Sequence, residues 1–200
     1  MRPNWFFAFP VTGRFVEELP AVPGAFRRFH PDDVHLTLAF LGGCGEAAAE
    51  RALAVLDERL RVAPPPVFDV TLAEVVPMGG ARYTALSALL GEGRTEVTAC
   101  LTELGGLLCE TALGRRPRRA AKPHVTLARP RRGATDAERA AGLLWAEQLE
   151  LGAVRQRLGR MALYTWADSR RERLFKVVTE RAFGRSPPRS APAAGSNTAG

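Results

Sequence analysis

Blocks of apolar and polar residues along the chain predict a mixture of strands and single helices. NWFFAFPV (4–11) is an apolar run of strand length, and RFVEELP (14–20) reads as a short helical piece. In GEAAAERALAVLDERLRVA (45–63), Ala52, Leu53, Leu56 and Leu60 recur at helical spacing until Pro64, Pro65 and Pro66 stop the pattern. VFDVTLAEVV (67–76) and ARYTALSALL (81–90) flank Pro77-Met78-Gly79-Gly80, which predicts a hairpin. A second helix is predicted over 95–113, with Val97, Cys100, Leu101, Leu104, Leu108 and Leu113 on one stripe, and a third over 136–148. LGRMALYTWA (158–167) and ERLFKVV (172–178) read as a closing pair of strands. Strands interleaved with single helices in this way predict an α+β fold.

One phrase occurs twice. Residues 35–42 read HLTLAFLG and residues 124–130 read HVTLARP, so two of only three histidines are followed by Thr at +2 and Leu at +3. Composition alone gives that coincidence odds of roughly 2 in 10,000. The phrases lie 89 residues apart, close to half of the chain ahead of its tail. That spacing predicts two related lobes, each contributing one phrase. The tail (184–200), rich in Pro, Ala, Ser and Gly, has nothing to bury and is expected to be disordered, leaving 1–183 as a single domain.

On a strand, His35 and Thr37 share one face and Leu36 and Leu38 the other. His124 and Thr126 likewise oppose Val125 and Leu127. Each phrase is then half core and half chemistry. Two such strands on one cleft would surround a small volume with two imidazoles and two hydroxyls. That set suits a phosphate diester. One neutral ring can take a proton from water while the other, protonated, gives one to the leaving oxygen. The hydroxyls can donate to the non-bridging oxygens as charge grows there. A strained 2′,3′-cyclic phosphate suits so sparse a site, because ring strain already lowers the barrier.

Charge bears on the partner. The formal net charge is +7 and nearly all of the basic side chains are arginine, with lysine only at positions 122 and 176. Arginine pairs with phosphate through a planar fork, so a polyanionic partner fits. Arg115, Arg116, Arg118, Arg119 and Lys122 precede His124, and Arg129, Arg131 and Arg132 follow it. Arg129, five residues past His124 at the strand end, is placed to contact a phosphate or a base. Phe7 in the first strand is a candidate to stack on a nucleobase. The three cysteines, at 44, 100 and 109, form no CxxC pair, which predicts reduced thiols and a cytoplasmic chain. No apolar run approaches the length of a membrane span, so a soluble chain is expected. His30, in the HPDD turn, has no ligand-like spacing to His35, and no HExxH or carboxylate-rich cluster occurs; no metal and no cofactor are predicted.

Both phrases, together with the WFFAFPV strand and the trailing glycine of HLTLAFLG, resemble the two-histidine phosphoesterase superfamily. More narrowly, residues 4–183 resemble the RNA 2′,3′-cyclic phosphodiesterases, the LigT-like or 2′-5′ RNA ligase proteins. The late strand differs, with Trp166 near the position of a serine and Phe175 near that of a tyrosine. The resemblance implies a bilobal α+β fold whose two pseudo-symmetric lobes line a central cleft with antiparallel sheets, with helices outside. It implies metal-independent hydrolysis of RNA 2′,3′-cyclic phosphate ends to 2′-phosphate ends. His35 would be the proton donor and His124 the acceptor, with Thr37 and Thr126 on the phosphate. ATP-independent 2′-5′ ligation, with an RNA hydroxyl in place of water, is also implied. The expected partner is RNA with a 2′,3′-cyclic phosphate end, tRNA fragments among the candidates, acted on by a monomer. Two rival readings are a phosphodiesterase for small cyclic nucleotides or ADP-ribose cyclic phosphate, and a non-catalytic protein that binds RNA ends.

Overall fold

The computed structural model of the chain describes residues 2–80 and 82–184. The expected tail lies outside the described residues from position 185 on. In chain order the elements are β1 (Trp5–Pro10), α1 (Phe15–Glu18), β2 (Phe26–Arg28), a 3₁₀ turn (Pro31–Asp33), β3 (His35–Gly42), α2 (Glu46–Val62), β4 (Phe68–Gly79) and β5 (Tyr83–Leu90). There follow α3 (Arg94–Cys100), a π turn (Leu101–Gly105), α4 (Gly106–Leu113), β6 (His124–Pro130), α5 (Asp136–Glu147), β7 (Arg155–Leu158), β8 (Arg160–Trp166) and β9 (Phe175–Ala182).

The strands form one curled antiparallel sheet in the order β7-β4-β5-β6-β3-β1-β8-β9, with β2 also on β6. Its midpoint falls between β6 and β3, the two strands that carry the repeated phrase. Four strands lie on either side. The lobes are not simply the two halves of the sequence, however. β4 follows β3 in the chain but pairs with β5 in the other lobe, and β8 follows β6 but pairs with β1. Each half of the chain hands a pair of strands across, β4–β5 in one direction and β8–β9 in the other, which ties both lobes into one unit.

Burial explains the layers. Leu36, Leu38, Val125 and Leu127 are buried on the core face of the sheet, at the expected alternating positions. Phe7, Phe9, Leu86, Leu108, Met161 and Leu163 fill the same core. Each such side chain stabilises the fold by about 1.5–3 kcal/mol relative to exposure. α2 turns Ala48, Ala49, Ala52 and Leu56 inward. The start of α5 is fixed by a capping box, in which the Glu138 amide donates to Thr135 Oγ1 (3.2 Å) and the Thr135 amide donates to Glu138 Oε2 (2.7 Å).

Two strands escape the sequence reading, β2 (FRR) and β7 (RQRL). Both are short and arginine-rich, so neither presents an apolar period. β7 still alternates, with Gln156 and Leu158 turned inward; the Gln156 amide group exchanges bonds with the backbone of Thr12 (3.0 and 3.3 Å). The predicted second helix is interrupted by the π turn, which sets Gly105 against the backbone carbonyl of Leu38 in β3. A methyl group at Gly105 would collide with that carbonyl oxygen. Gly105→Ala is therefore expected to cost roughly 1–3 kcal/mol, as overpacking against a backbone atom does. The urea midpoint measures it, and an unchanged midpoint would show that the helix is free to move off β3.

Candidate active site

β3 and β6 meet at a single ladder pair, Leu36 opposite Val125. These are the same position of the two phrases, one residue past each histidine. An antiparallel pair centred there brings His35 beside Thr126 and Thr37 beside His124. Leu36 and Val125 point into the core, so all four polar side chains emerge on the opposite face. Their exposure follows the same pattern: each of the four is half-buried between buried neighbours. The register thus brings together the four residues of the paired phrases.

The rings are held alike. His35 Nδ1–H donates to the carbonyl of Asp33, and His124 Nδ1–H donates to the carbonyl of Lys122, both at 2.7 Å. A carbonyl can only accept, so each bond fixes the tautomer with hydrogen on Nδ1 and leaves Nε2 for the cleft. Asp33 is anchored in turn. Its buried carboxylate accepts from the amides of Leu174 (2.7 Å) and Phe175 (3.1 Å).

The surroundings of the two histidines differ. His35 packs against Phe6, Tyr164 and Phe175, with ring centroids 4.8, 5.6 and 5.4 Å away. Burial in this aromatic wall lowers its pKa from 6.5 to about 4; the Asp33 carbonyl opposes the shift, and the charges of Arg129 and His124 add to it. The protonated form is thus disfavoured in the free protein. His124 and Thr37 open instead onto a cavity of about 440 Å³ that is lined by Arg116, Arg119 and Lys122. Thr126 Oγ1 lies 3.1 Å from the hydroxyl of Ser87, a fully buried residue of β5. Across from Thr37 the corresponding position is Ala8.

Both phrases carry a bulge at their fourth residue. Thr37 pairs with Ala8 and Ala39 with Phe7, so Leu38 is the extra residue; Thr126 pairs with Ser87 and Ala128 with Leu86, so Leu127 is the extra one. Each bulge shifts the alternation by one and turns the sixth residue onto the cleft face. Those sixth residues are Phe40, 57% exposed, and Arg129. Along the cleft the order becomes Arg129, then His35 with Thr126, then Thr37 with His124, then Phe40.

Arg129 therefore lies on the cleft face. Phe7 does not: it is fully buried in the main core, and its neighbour Phe6 is the aromatic residue against His35. The one-residue difference is the strand's own alternation. His30 caps the 3₁₀ turn by accepting from the Asp32 amide (3.2 Å). Phe40 and Ser87 escape the sequence reading. For Phe40 a signal exists, because the phrases agree through Leu-Ala, one residue further than His-x-Thr-Leu. Ser87 leaves no comparable mark.

Similarity to known proteins is confined to structure. No family model matches the chain, and no curated protein does. Among solved structures, a phosphoesterase superposes with a TM-score of 0.66 at 21% identity, over 92% of this chain and 100% of that one. Escherichia coli LigT in its apo form gives 0.61 at 24% identity, again over 92% and 100%. The chain shares the LigT fold. A Thermus thermophilus protein, TT0787, superposes on the same shares of the two chains with a TM-score of 0.61 at 20% identity. Among the described residues of this LigT-like chain, no helix is long and apolar enough to cross a membrane.

The His35 environment has a measurable sign. Above pH 6.5 the imidazole is neutral in both native and unfolded chains. Between 6.5 and about 4 the unfolded chain takes up a proton that the native site refuses, so stability is lost across that window and the loss levels off below it. NMR titration of the imidazole carbons should place His35 near 4. Over the same window wild type should lose more stability than His35→Gln. A His35 midpoint at or above 6.5 would contradict the aromatic-wall account.

Proposed function

We propose that the protein is a two-histidine phosphoesterase that opens 2′,3′-cyclic phosphates at RNA ends, leaving 2′-phosphates. The observation that carries this reading is the shared orientation of the two rings. Both are fixed through Nδ1 by the carbonyl two residues earlier, and both present Nε2 on one face of a sheet beside a threonine hydroxyl.

The chemistry follows from that arrangement. His124 Nε2 takes a proton from water as the water oxygen bonds to phosphorus. The bond from phosphorus to O3′ breaks, and His35 Nε2 supplies the proton that O3′ needs. Thr37 and Thr126 donate to the non-bridging oxygens, and Ser87 orients the Thr126 hydroxyl. The assignment of donor and acceptor rests on the family resemblance, since the geometry is nearly two-fold. For His35 to donate, it must first be protonated against its environment, and a bound phosphate anion supplies the field that does this. Each proton transfer contributes roughly 10²–10⁴ in rate. With an RNA 5′-hydroxyl in place of water, the same groups run the same displacement, O3′ leaving as before, and form a 2′-5′ linkage.

Nucleic acid as the partner is supported by the arginine- and lysine-lined cavity beside His124 and by the exposed ring of Phe40, a surface on which a base can stack. E. coli LigT has been crystallised with phosphate and with 3′-AMP. A short RNA ending in a 2′,3′-cyclic phosphate, digested in EDTA, tests the reading. Wild type should give the 2′-phosphate product. His35→Ala and His124→Ala should each lose at least about 10²-fold in kcat. Phe40→Ala should raise KM by roughly 5- to 150-fold, as loss of one base stack of about 1–3 kcal/mol requires. Binding of the RNA without turnover would sink the enzyme and favour a protein that only holds RNA ends.

A further inference from the structure

Beyond His35 the cleft ends in an unusual concentration of positive charge. Arg27 of β2 stands directly opposite Arg129 of β6 in the antiparallel ladder. Directly opposed residues point to the same side, with Cβ atoms about 4.5–5.5 Å apart, and like charges so placed are destabilising. Phe26, next to Arg27, is buried on the opposite face, where it packs against Gly142 of α5. Arg27 therefore shares the cleft face with Arg129. A third guanidinium comes from the β8–β9 connection, residues 167–174. Arg170 lies over the Trp166 ring, 4.4 Å from its centroid. The pKa of Arg129 is lowered, first by partial desolvation and then by the charge of Arg170.

Among the described residues no carboxylate balances these charges; Arg129 rests on the Phe29 ring, 5.3 Å from its centroid. Asp32 is paired with Arg173 (3.3 Å) and Asp168 with Lys176 (2.7 Å). The Asp33 carboxylate is taken by two backbone amides. Among the described residues, neither Glu172 nor any other carboxylate forms an ion pair with Arg27, Arg129 or Arg170. Arg27 instead donates from Nη2 to the carbonyls of Arg170 (3.3 Å) and Arg171 (3.2 Å). That bond fastens the connection to β2 and sets Arg170 at the cleft end.

We propose that Arg27, Arg129 and Arg170 form a second phosphate site, which takes the 5′-phosphate of the nucleotide whose cyclic phosphate lies between His35 and His124. The identity of that nucleotide rests on the function proposed above. Arg129 lies three residues past Thr126 on the same strand, roughly 7–10 Å away, a distance that two phosphates of one nucleotide can span. Planar guanidinium forks suit the oxygens of a phosphate monoester or diester. The site would make the enzyme favour a nucleotide embedded in a strand over a bare cyclic nucleoside. It would also fix the direction of the strand, with its 5′ side leaving past Arg129.

Calorimetric titration of the full chain with adenosine 2′-phosphate and with adenosine 2′,5′-bisphosphate tests the site without relying on turnover. Wild type should bind the bisphosphate about tenfold more tightly or better, and Arg170→Gln should lose most of that preference. Arg170→Gln keeps the backbone carbonyl that Arg27 holds, so it leaves the connection in place; Arg27→Gln removes both the charge and the fastening. Equal or undetectable binding of the two ligands, or a preference unchanged in both variants, would overturn the second site. In parallel, adenosine 2′,3′-cyclic phosphate is compared as a substrate with and without a 5′-phosphate. Turnover with no gain from the 5′-phosphate removes the second site and leaves the phosphodiesterase standing. A bisphosphate preference that depends on Arg170, without any turnover, does the reverse.

Discussion

Everything in the cleft depends on one contact between strands, the pairing of Leu36 with Val125. It joins equivalent positions of two strands in antiparallel fashion, and so it acts as a local two-fold axis. Because both side chains are buried, the residues on either side have no choice of face. Slipping the pairing by one residue would turn either the polar set into the core or the apolar set into the cleft. Core packing is thus what aims the two imidazoles, and the bonds from Nδ1 to the Asp33 and Lys122 carbonyls complete the aim.

The two-fold holds locally in the backbone of the two phrases and is broken in the side chains. Identical bulges at Leu38 and Leu127 deliver a phenyl ring at one end of the cleft and a guanidinium at the other. His35 sits in an aromatic wall and His124 beside a basic cavity; Thr126 has Ser87 as a partner where Thr37 has Ala8 opposite. On the proposed function, the site must tell one ester oxygen of a ribose cyclic phosphate from the other, and this kind of asymmetry on a near-symmetric frame would serve that.

How much of this can be read from the sequence varies with the physics involved. The paired phrases are legible because a two-residue period and a rare residue type coincide. The long helices are legible because their apolar stripes are long enough to show a period. The bulges are not, since a bulge is a property of two strands and its partner residues lie elsewhere in the chain. Phe7 is misplaced for a related reason. In a fully apolar strand such as WFFAFP the pattern does not reveal which face is which, and only the neighbours of β1 decide it. β2 and β7 are silent because they are short and their arginines leave too few apolar positions to show a period.

The crossing of β4 and β8 between lobes also governs when the site can come into being. β1 must wait for β8, whose residues stand more than 150 positions later in the chain, before the aromatic wall behind His35 exists. Contacts this distant in sequence close late and slowly. The N-terminal phrase therefore leaves the ribosome long before its surroundings do, and neither half of the polypeptide can assemble a working cleft alone. The complete cleft is then acquired only once β8 has been made.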